Sequence, residues 1–294
     1  MAYVLSITAN PAEPVIDADL KAHVSRLFPI TDIVDLAPGV ASDFYIDEPD
    51  EFLLAALRHE FEDKPVDLNF ITLAHRRKKL FIADMDSTII EQECIDEIAD
   101  FAGKRPEISD ITERAMRGEL DFEAALRERV AMLKGLAVSV LEETYAKHIS
   151  LTPGARVLVQ TMNKMGATTA LVSGGFTFFT DRVAKAAGFQ TAQANELLYE
   201  DGALAGKVRE PILGRAAKQN ALLRLAGEND IRLEETLAVG DGANDLSMLE
   251  RAGLGVAFRA KPAVAEATEA RIQHGDLTAL LYLQGVPQAE FIET

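Results

Sequence analysis

Short apolar runs and amphipathic stretches alternate along the chain, and the alternation changes character near residue 79. The first part predicts the order strand, helix, strand, strand, helix, strand. Its strands are expected at 3–9, 31–36, 40–46 and 66–73, and its helices at 17–28 and 50–61. This order is that of a ferredoxin-like α+β sandwich. The basic run 76–79 then marks the expected join to a second domain.

Beyond residue 79, short apolar strands alternate with longer helical stretches. Strands are predicted at 80–83, 168–172, 236–240 and 254–258, and helices at 155–165, 177–187, 214–226 and 244–251. Such alternation predicts a Rossmann-like α/β core, in which a mostly parallel sheet is covered by helices on both faces. Residues 198–206 carry an Asp-Gly pair between short apolar runs, which predicts a hairpin.

The first two strands of this core are separated by an unusually long segment with almost entirely helical signals, at 93–148. A crossover normally contains a single helix, so this insertion predicts a helical cap subdomain at about 93–150. The expected division is therefore an N-terminal domain over 1–76 and an α/β domain over 77–294.

Composition argues against several classes of function and location. The 294 residues carry a formal net charge of -17, which argues against a general nucleic-acid binder. The single cysteine, Cys94, fits a reducing compartment. The N-terminus lacks the pattern of a signal peptide, and no apolar run approaches the ~20 residues that span a bilayer. We therefore expect a cytoplasmic protein without a membrane partner.

Two carboxylates, Asp84 and Asp86, follow the apolar run 80–83. Side chains alternate along an extended segment, so both should project to the same side. Two like charges about 4 Å apart repel by roughly 4 kcal/mol at an effective dielectric of about 20. A nearby group must therefore compensate for the repulsion, or one carboxyl must keep its proton.

Two other predicted strands end in polar residues as well. Ser173-Gly174-Gly175 follows one of them, and Asp241 and Asp245 follow another. Taken alone, these residues fit a glycine turn and aspartate turn or cap positions equally well. In a parallel α/β sheet, however, ligands bind at the carboxyl ends of the strands. Four carboxylates converging there predict a hard divalent cation, and Mg²⁺ is expected.

The segments DMDST, SGGF, a helical lysine and GDGANDLSML occur in this order, and they resemble the four motifs of the haloacid dehalogenase superfamily. Within that superfamily, the chain is most similar to the phosphoserine phosphatases. The resemblance covers roughly residues 78–285, and the helical insertion agrees with the cap of this family.

The resemblance implies a mechanism. Asp84 would be the nucleophile that forms an aspartyl-phosphate, and Asp86 would be the general acid and base. Mg²⁺ would be held by Asp84, the main-chain carbonyl of Asp86 and Asp241, with Asp245 in support. The residues expected to hold the phosphoryl group are Ser173, Gly174, Lys218 and Asn244.

The predicted cap helix around 122–133 places Arg129 on or beside an apolar stripe, where an arginine needs a partner or must reach water. The resemblance implies that Arg129 binds the substrate carboxylate and Glu93 its ammonium group. Met116 and Phe122 would close over the substrate, although ordinary helix packing explains these two residues equally well.

The N-terminal domain resembles a degenerate amino-acid-binding domain of the ACT type. Its first strand–helix loop, residues 10–14, lacks the glycine usual in ligand-binding members. We therefore expect a structural role or a homodimer contact for this domain rather than serine binding.

The leading interpretation is hydrolysis of O-phospho-L-serine, the last step of serine biosynthesis. Three alternatives remain open on the sequence: transfer of the phosphoryl group to another alcohol, hydrolysis of a different small phosphomonoester, and amino-acid sensing by residues 1–75.

Overall fold

The N-terminal domain of the computed structural model, which describes residues 3–292, is a four-stranded antiparallel sheet with two helices. Its elements are β1 Tyr3–Ala9, α1 Ala18–Leu27, β2 Asp32–Ala37, β3 Ala41–Ile46, α2 Glu51–Glu60 and β4 Val66–Thr72. The sheet order is β2-β3-β1-β4. The predicted ferredoxin-like order of elements is confirmed.

Strand alternation explains how this domain packs. In β1, Leu5 and Ile7 point to one face and pack with Val24 of α1 and Leu57 of α2 in a buried cluster. The first helix begins at a capping aspartate, because the Asp17 side chain accepts a hydrogen bond from the main-chain N–H three residues later. The opposite face of the sheet, which carries polar side chains, is turned toward the second domain.

The second domain contains a six-stranded parallel sheet and a hairpin. Its strands are β5 Leu80–Ala83, β6 Thr168–Phe176, β7 Thr191–Asn195, β8 Leu197–Glu200, β9 Ala203–Val208, β10 Thr236–Gly240, β11 Leu254–Phe258 and β12 Ala270–Ile272. The sheet order is β12-β11-β10-β5-β6-β7, and every neighbouring pair is parallel. The predicted Rossmann-like core is confirmed.

The two outermost strands of this sheet, β7 and β12, were not predicted. The first reads TAQAN and is half exposed, and the second has only three residues. An edge strand is covered on fewer sides than a central strand, so its sequence lacks the continuous apolar run that marks a buried parallel strand.

Four helices between β5 and β6 form the cap: α3 Cys94–Phe101, α4 Arg105–Met116, α5 Phe122–Met132 and α6 Ser139–His148. The core helices are α7 Ala155–Lys164, α8 Thr177–Ala187, α9 Arg215–Glu228, α10 Leu246–Arg251, α11 Pro262–Ala267 and α12 Ala279–Leu283. The predicted helical insertion is thus present. Within residues 3–292, no helix has both the length and the apolar character that crossing a bilayer requires.

The hairpin β8–β9 turns at Asp201-Gly202, where both residues have positive φ angles of 50° and 79°. This is the conformation for which the Asp-Gly pair is favoured. The hairpin also supports the cap, because the Gly135 N–H donates to the Leu204 carbonyl at 2.9 Å and the Leu204 N–H donates to Leu136 at 2.8 Å.

The two domains meet along a polar seam, which we define as Asp67 and Asn69 of β4 together with the main chain of residues 271–275. Asn69 pairs with the main chain of Arg271 through both its amide oxygen and its amide nitrogen. Part of the basic run 76–79 is buried as well, since Arg76 forms a 2.7 Å ion pair with Asp43. The boundary at residue 76 stays a prediction.

Candidate active site

The carboxyl ends of β5, β6 and β10 meet at one edge of the parallel sheet, and the cap covers this edge. A single cavity there is lined by eight of the residues singled out in the sequence: Asp84, Asp86, Glu93, Met116, Phe122, Arg129, Gly174 and Asn244. The other four, Ser173, Lys218, Asp241 and Asp245, lie directly beside this cavity. The structure therefore brings all twelve predicted residues together.

Lys218 links two of the strand-end carboxylates. Its Nζ lies 2.6 Å from Asp84 Oδ1 and 2.6 Å from Asp245 Oδ1, and all three side chains are buried. Lys218 reaches them from the first turns of α9. Position 240 must be glycine, because a Cβ atom there would overlap the Asp245 carboxyl.

Asp86 is held by different donors. Its Oδ1 accepts a hydrogen bond from the Cys94 main-chain N–H at 2.8 Å, and its Oδ2 accepts one from Ser173 Oγ at 3.1 Å. A Cβ atom at Gly175 would approach Asp86 Oδ2 to 2.8 Å, so glycine leaves room for this carboxyl. Asp84 and Asp86 thus have separate environments although they are two residues apart.

Burial shapes the protonation of these groups. It raises the pKa of Asp84 well above its usual value, with a further rise from the Asp245 charge, and it also raises the pKa of Asp86. Burial and then Asp245 raise the pKa of Asp241 to about 7. Burial by itself lowers the pKa of Lys218, but the charges of Asp245 and Asp84 outweigh it, so the ammonium stays protonated.

Three carboxylates are arranged as ligands for a cation. Asp84, Asp241 and Asp245 each offer one oxygen, and these oxygens lie within 4.8 Å of one another. Thr88 Oγ1 donates to Asp241 Oδ1 at 3.2 Å, which orients that carboxylate. Because Lys218 is the only cation within ion-pair distance in the described part of the chain, the carboxylates outnumber the positive charge. A set of hard oxygen donors with excess negative charge fits a divalent cation.

Asn244 has an unused polar atom beside these groups. Its Oδ1 is buried and has no hydrogen-bond partner among residues 3–292. Buried polar atoms normally have partners, and those without one call for an explanation. The position of Asn244 in the cavity wall explains the missing partner, because a ligand bound in the cavity would contact this side chain.

The cap contributes an arginine and a glutamate to the same cavity. Arg129 is buried rather than extended to water; its Nε donates to the Ala125 carbonyl at 3.2 Å, and an Nη1 hydrogen bond reaches Thr112 Oγ1 at 2.9 Å. Glu93 accepts a hydrogen bond from Ser87 Oγ at 2.7 Å. Burial, followed by the charge of Asp86, raises the pKa of Glu93 well above its usual value.

The cap is closed over the sheet edge. The Ala243 N–H, in the loop after β10, donates to the Met116 carbonyl at 3.0 Å. The ring of Phe122 lies where the Cβ atom of a larger residue at Gly174 would be. Met116 and Phe122 therefore contact the strand-end loops as well as packing within the cap.

Three supporting residues were missed by sequence reasoning. Thr88 stands inside the first motif, so its position was a usable signal. Cys94 acts on Asp86 through its main-chain N–H, which no side-chain pattern reveals. Asn195 donates to the Gly174 carbonyl at 2.8 Å and accepts from the Leu213 N–H at 2.7 Å, but it ends β7, a strand that was itself missed.

Comparison with known proteins agrees with this geometry. A phosphoserine phosphatase from Streptomyces coelicolor is 43% identical over 276 residues, covering 92% of this chain. The chain spans 65% of the length of that relative, and 62% and 53% of two other curated phosphoserine phosphatases.

Solved structures are similar too. A phosphoserine phosphatase described as a phospho-aspartyl intermediate analogue has 42% identity and a TM-score of 0.67, over 70% of this chain and 98% of its own. A HAD family hydrolase from Salmonella enterica subsp. enterica serovar Typhi has 31% identity and a TM-score of 0.84, over 96% of this chain and 98% of its own.

The family assignment follows from the match of a whole domain. The sequence model of the haloacid dehalogenase-like hydrolases matches residues 81–250, which is more than half of the chain and includes every strand-end residue described above. The chain therefore belongs to the haloacid dehalogenase-like hydrolase family.

Proposed function

We propose that this protein hydrolyses O-phospho-L-serine to L-serine and phosphate, with Mg²⁺ as cofactor, as the last step of serine biosynthesis. The observation that carries the proposal is the shared cavity. It joins strand-end carboxylates suited to phosphoryl transfer to a buried arginine and a glutamate suited to an amino acid. Several of the similar proteins described above are phosphoserine phosphatases, which supports the same substrate for this chain.

Asp84 is the nucleophile in this proposal. One of its carboxylate oxygens attacks phosphorus, and the bond from phosphorus to the serine oxygen breaks, leaving an aspartyl-phosphate. Attack requires the ionised form of a buried carboxyl with a raised pKa. The 2.6 Å contact with Lys218 favours that form.

Asp86 supplies and removes protons. Its raised pKa keeps a proton available for the departing serine oxygen. The ionised Asp86 then takes a proton from the water that attacks the aspartyl-phosphate, which releases phosphate and restores Asp84. The hydrogen bonds from Cys94 and Ser173 fix its orientation for both steps.

Asp84, Asp241, Asp245 and the main-chain carbonyl of Asp86 would hold Mg²⁺. When bound there, the cation would supply positive charge that reduces the repulsion between the Asp84 carboxylate and the phosphate. Ser173, Gly174, Lys218 and Asn244 would hold the phosphoryl oxygens; Asn244, which lines the cavity, would do so through the N–H groups of its side-chain amide.

Recognition of the serine part is assigned to the cap. Arg129 binds the carboxylate through its planar fork, and Glu93 binds the ammonium group. Met116 and Phe122 close the cavity, which keeps bulk water from the reacting centre. The cytoplasmic location and the homodimer through the N-terminal domain stay predictions.

The test measures phosphate release from O-phospho-L-serine and from a panel of other phosphomonoesters, with Mg²⁺ and with EDTA. Mg²⁺-dependent release with a strong preference for phosphoserine is expected. Equal rates across the panel would leave the strand-end chemistry in place and overturn the substrate assignment. If an added alcohol lowers the amount of free phosphate released and a new phosphoester of that alcohol forms, the reaction is phosphoryl transfer rather than hydrolysis.

A further inference from the structure

A hydrogen-bonded relay behind Arg129 connects three helices of the cap. Arg129 on α5 donates from Nη1 to Thr112 Oγ1 on α4 at 2.9 Å. Thr112 Oγ1 lies 3.0 Å from Asp96 Oδ1 on α3, and the other oxygen of Asp96 accepts from Ser109 Oγ at 2.7 Å. The relay therefore runs from a half-buried carboxylate through a buried hydroxyl to the guanidinium in the cavity wall.

The relay constrains the direction of the guanidinium. Arginine has five N–H donors. The Nε–H is used by the Ala125 carbonyl, and one Nη1 hydrogen is used by Thr112. The three remaining N–H groups have no protein partner in the range 3–292, and Arg129 lines the cavity. The fork that these groups form is what a planar carboxylate needs for two parallel hydrogen bonds.

Thr112 does more than fill space. Its hydroxyl has one proton, for which Asp96 at 3.0 Å and the Ile108 carbonyl at 2.9 Å compete. Either bond points the oxygen lone pairs away from that acceptor and leaves them free for Arg129. Because the side chain is buried, water does not replace the hydroxyl if it is removed.

Asp96 adds charge to the relay. Burial lowers the pKa of Arg129, and the charges of Glu93 and Asp96 oppose that effect. Glu93 faces the cavity, where the resemblance assigns it to the substrate ammonium. Asp86 also opposes the effect, and it lines the cavity as Glu93 does. Asp96 is therefore the carboxylate that acts on the guanidinium through Thr112 rather than from the cavity.

We propose that Asp96 and Thr112 are positioning residues that orient Arg129 toward the substrate carboxylate, and that they set the preference for phosphoserine over phosphomonoesters without a carboxylate. This proposal rests on the proposed function, because it assumes that Arg129 binds a carboxylate.

The experiment compares kcat and KM for O-phospho-L-serine and O-phosphoethanolamine, which lacks the carboxylate, in the Mg²⁺-loaded full chain. Thr112→Val removes the hydroxyl with little change in shape. We expect it to raise KM for phosphoserine about tenfold, the effect of losing one hydrogen bond to a charged group, with kcat changed less than about twofold. The kcat/KM for phosphoethanolamine should stay near that of the wild type.

Two further variants and a control complete the test. Asp96→Asn should lower the same preference, and Thr112→Ser, which keeps the hydroxyl, should retain it. The control is Thr144→Val on α6, because Thr144 is also a buried cap threonine but its Oγ1 has no partner among the described residues. The preference is a ratio measured on one preparation, so partial unfolding of a variant does not change it.

The outcomes separate the two proposals. An unchanged preference in both Thr112→Val and Asp96→Asn, or an equal loss on both substrates, would overturn the relay. If the wild-type protein itself hydrolyses both substrates equally well, the proposed function fails, and the relay proposal fails with it.

Discussion

The polar seam between the domains and the carboxylate site at the strand ends are both buried, but they differ in how the protein itself provides partners for their charges. In the seam, Asp67 accepts hydrogen bonds from the main-chain N–H groups of Gln273, His274 and Gly275, at 2.7 to 3.2 Å. Every oxygen of this carboxylate has a fixed donor. The seam therefore holds the N-terminal sheet against β12 with this carboxylate fully hydrogen-bonded.

The strand-end site leaves its charges unbalanced. Asp84 and Asp245 share the single ammonium of Lys218, and among residues 3–292 the Thr88 hydroxyl is the one side-chain hydrogen-bond partner of Asp241. A cluster of buried carboxylates that the protein itself does not neutralise is unfavourable for folding. Its presence is explained if the cluster is a site for a cation. Burial alone does not distinguish a structural carboxylate from a functional one. The distinction is whether the protein itself supplies all the partners of the carboxylate, as it does for Asp67.

The largest expected effect comes from removing Asp84, the proposed nucleophile. Asp84→Asn should lower kcat by a factor on the order of 10⁴ or more, because an amide oxygen is a much weaker nucleophile than a carboxylate. Phosphate release from phosphoserine measures the loss, and a retained melting temperature shows that the fold persists. More than about one percent of wild-type turnover in a pure preparation would contradict the covalent mechanism.

Removing the cap guanidinium should have the next largest effect. Arg129→Ala is expected to lower kcat/KM for phosphoserine about 100-fold, because the proposed buried charge pair with the substrate carboxylate would be lost. The matched control is Arg127→Ala on the same helix. Arg127 is exposed and pairs with Glu123 and Glu210, so its loss should change the rate less than about twofold. Similar losses in the two variants would argue against a binding role for Arg129.

The unbalanced charge also predicts a pH-dependent effect of Mg²⁺ on stability. The folded-state pKa of Asp241, about 7, lies above its unfolded value, as do those of Asp84 and Asp86. Stability from such groups is present at low pH and is lost as pH rises through the folded pKa. Mg²⁺, the proposed cofactor, would bind the ionised carboxylates, so it should offset this loss.

Thermal unfolding with EDTA and with excess Mg²⁺ tests this expectation. The rise in Tm caused by Mg²⁺ should be larger at about pH 8 than at about pH 5. Asp241→Asn is the control, because it removes one titrating ligand and should reduce the difference between the two pH values. An equal Mg²⁺ effect at both pH values in the wild type would contradict the arrangement.

The smallest effect on activity is expected in the seam. Asp67→Ala should lower the free energy of unfolding by about 2 kcal/mol, because buried main-chain donors lose their acceptor. The kcat for phosphoserine should stay within about twofold of the wild type. Denaturant unfolding and phosphate release on the same samples measure both quantities.

The control is Asp63→Ala. Because Asp63 is exposed, this substitution should change the free energy of unfolding by less than about 0.5 kcal/mol. A large fall in kcat for Asp67→Ala would mean that the seam supports the active site.

The residues of the strand-end site could be predicted from the sequence because general rules of strand geometry and sheet topology apply to them. Asp84 and Asp86 share one side because strand side chains alternate, and the shared edge follows from the carboxyl ends of parallel strands. The resemblance to a known family supplied the residues for which spacing alone was silent, such as Lys218 and Glu93. Arg129 stood out because an arginine in an apolar stripe requires a partner.

The seam and the relay were not predictable, because they depend on contacts between distant segments. Asp67 and Asn69 share a face of β4, but the sequence does not show that this face meets the main chain of residues 271–275. Thr112 and Asp96 likewise read as ordinary helix residues until α3, α4 and α5 are packed together. Their partners are fixed by tertiary structure, which a single sequence pattern does not encode.

The most direct test of the central claim is to trap the covalent intermediate during turnover of phosphoserine with Mg²⁺. Borohydride reduces an aspartyl-phosphate to homoserine, and peptide mass spectrometry locates the change. The account predicts homoserine at position 84, with Asp67 and the other carboxylates unmodified. Steady phosphate release with position 84 unmodified, or with the change at another carboxylate, would contradict the assignment of Asp84 as the nucleophile.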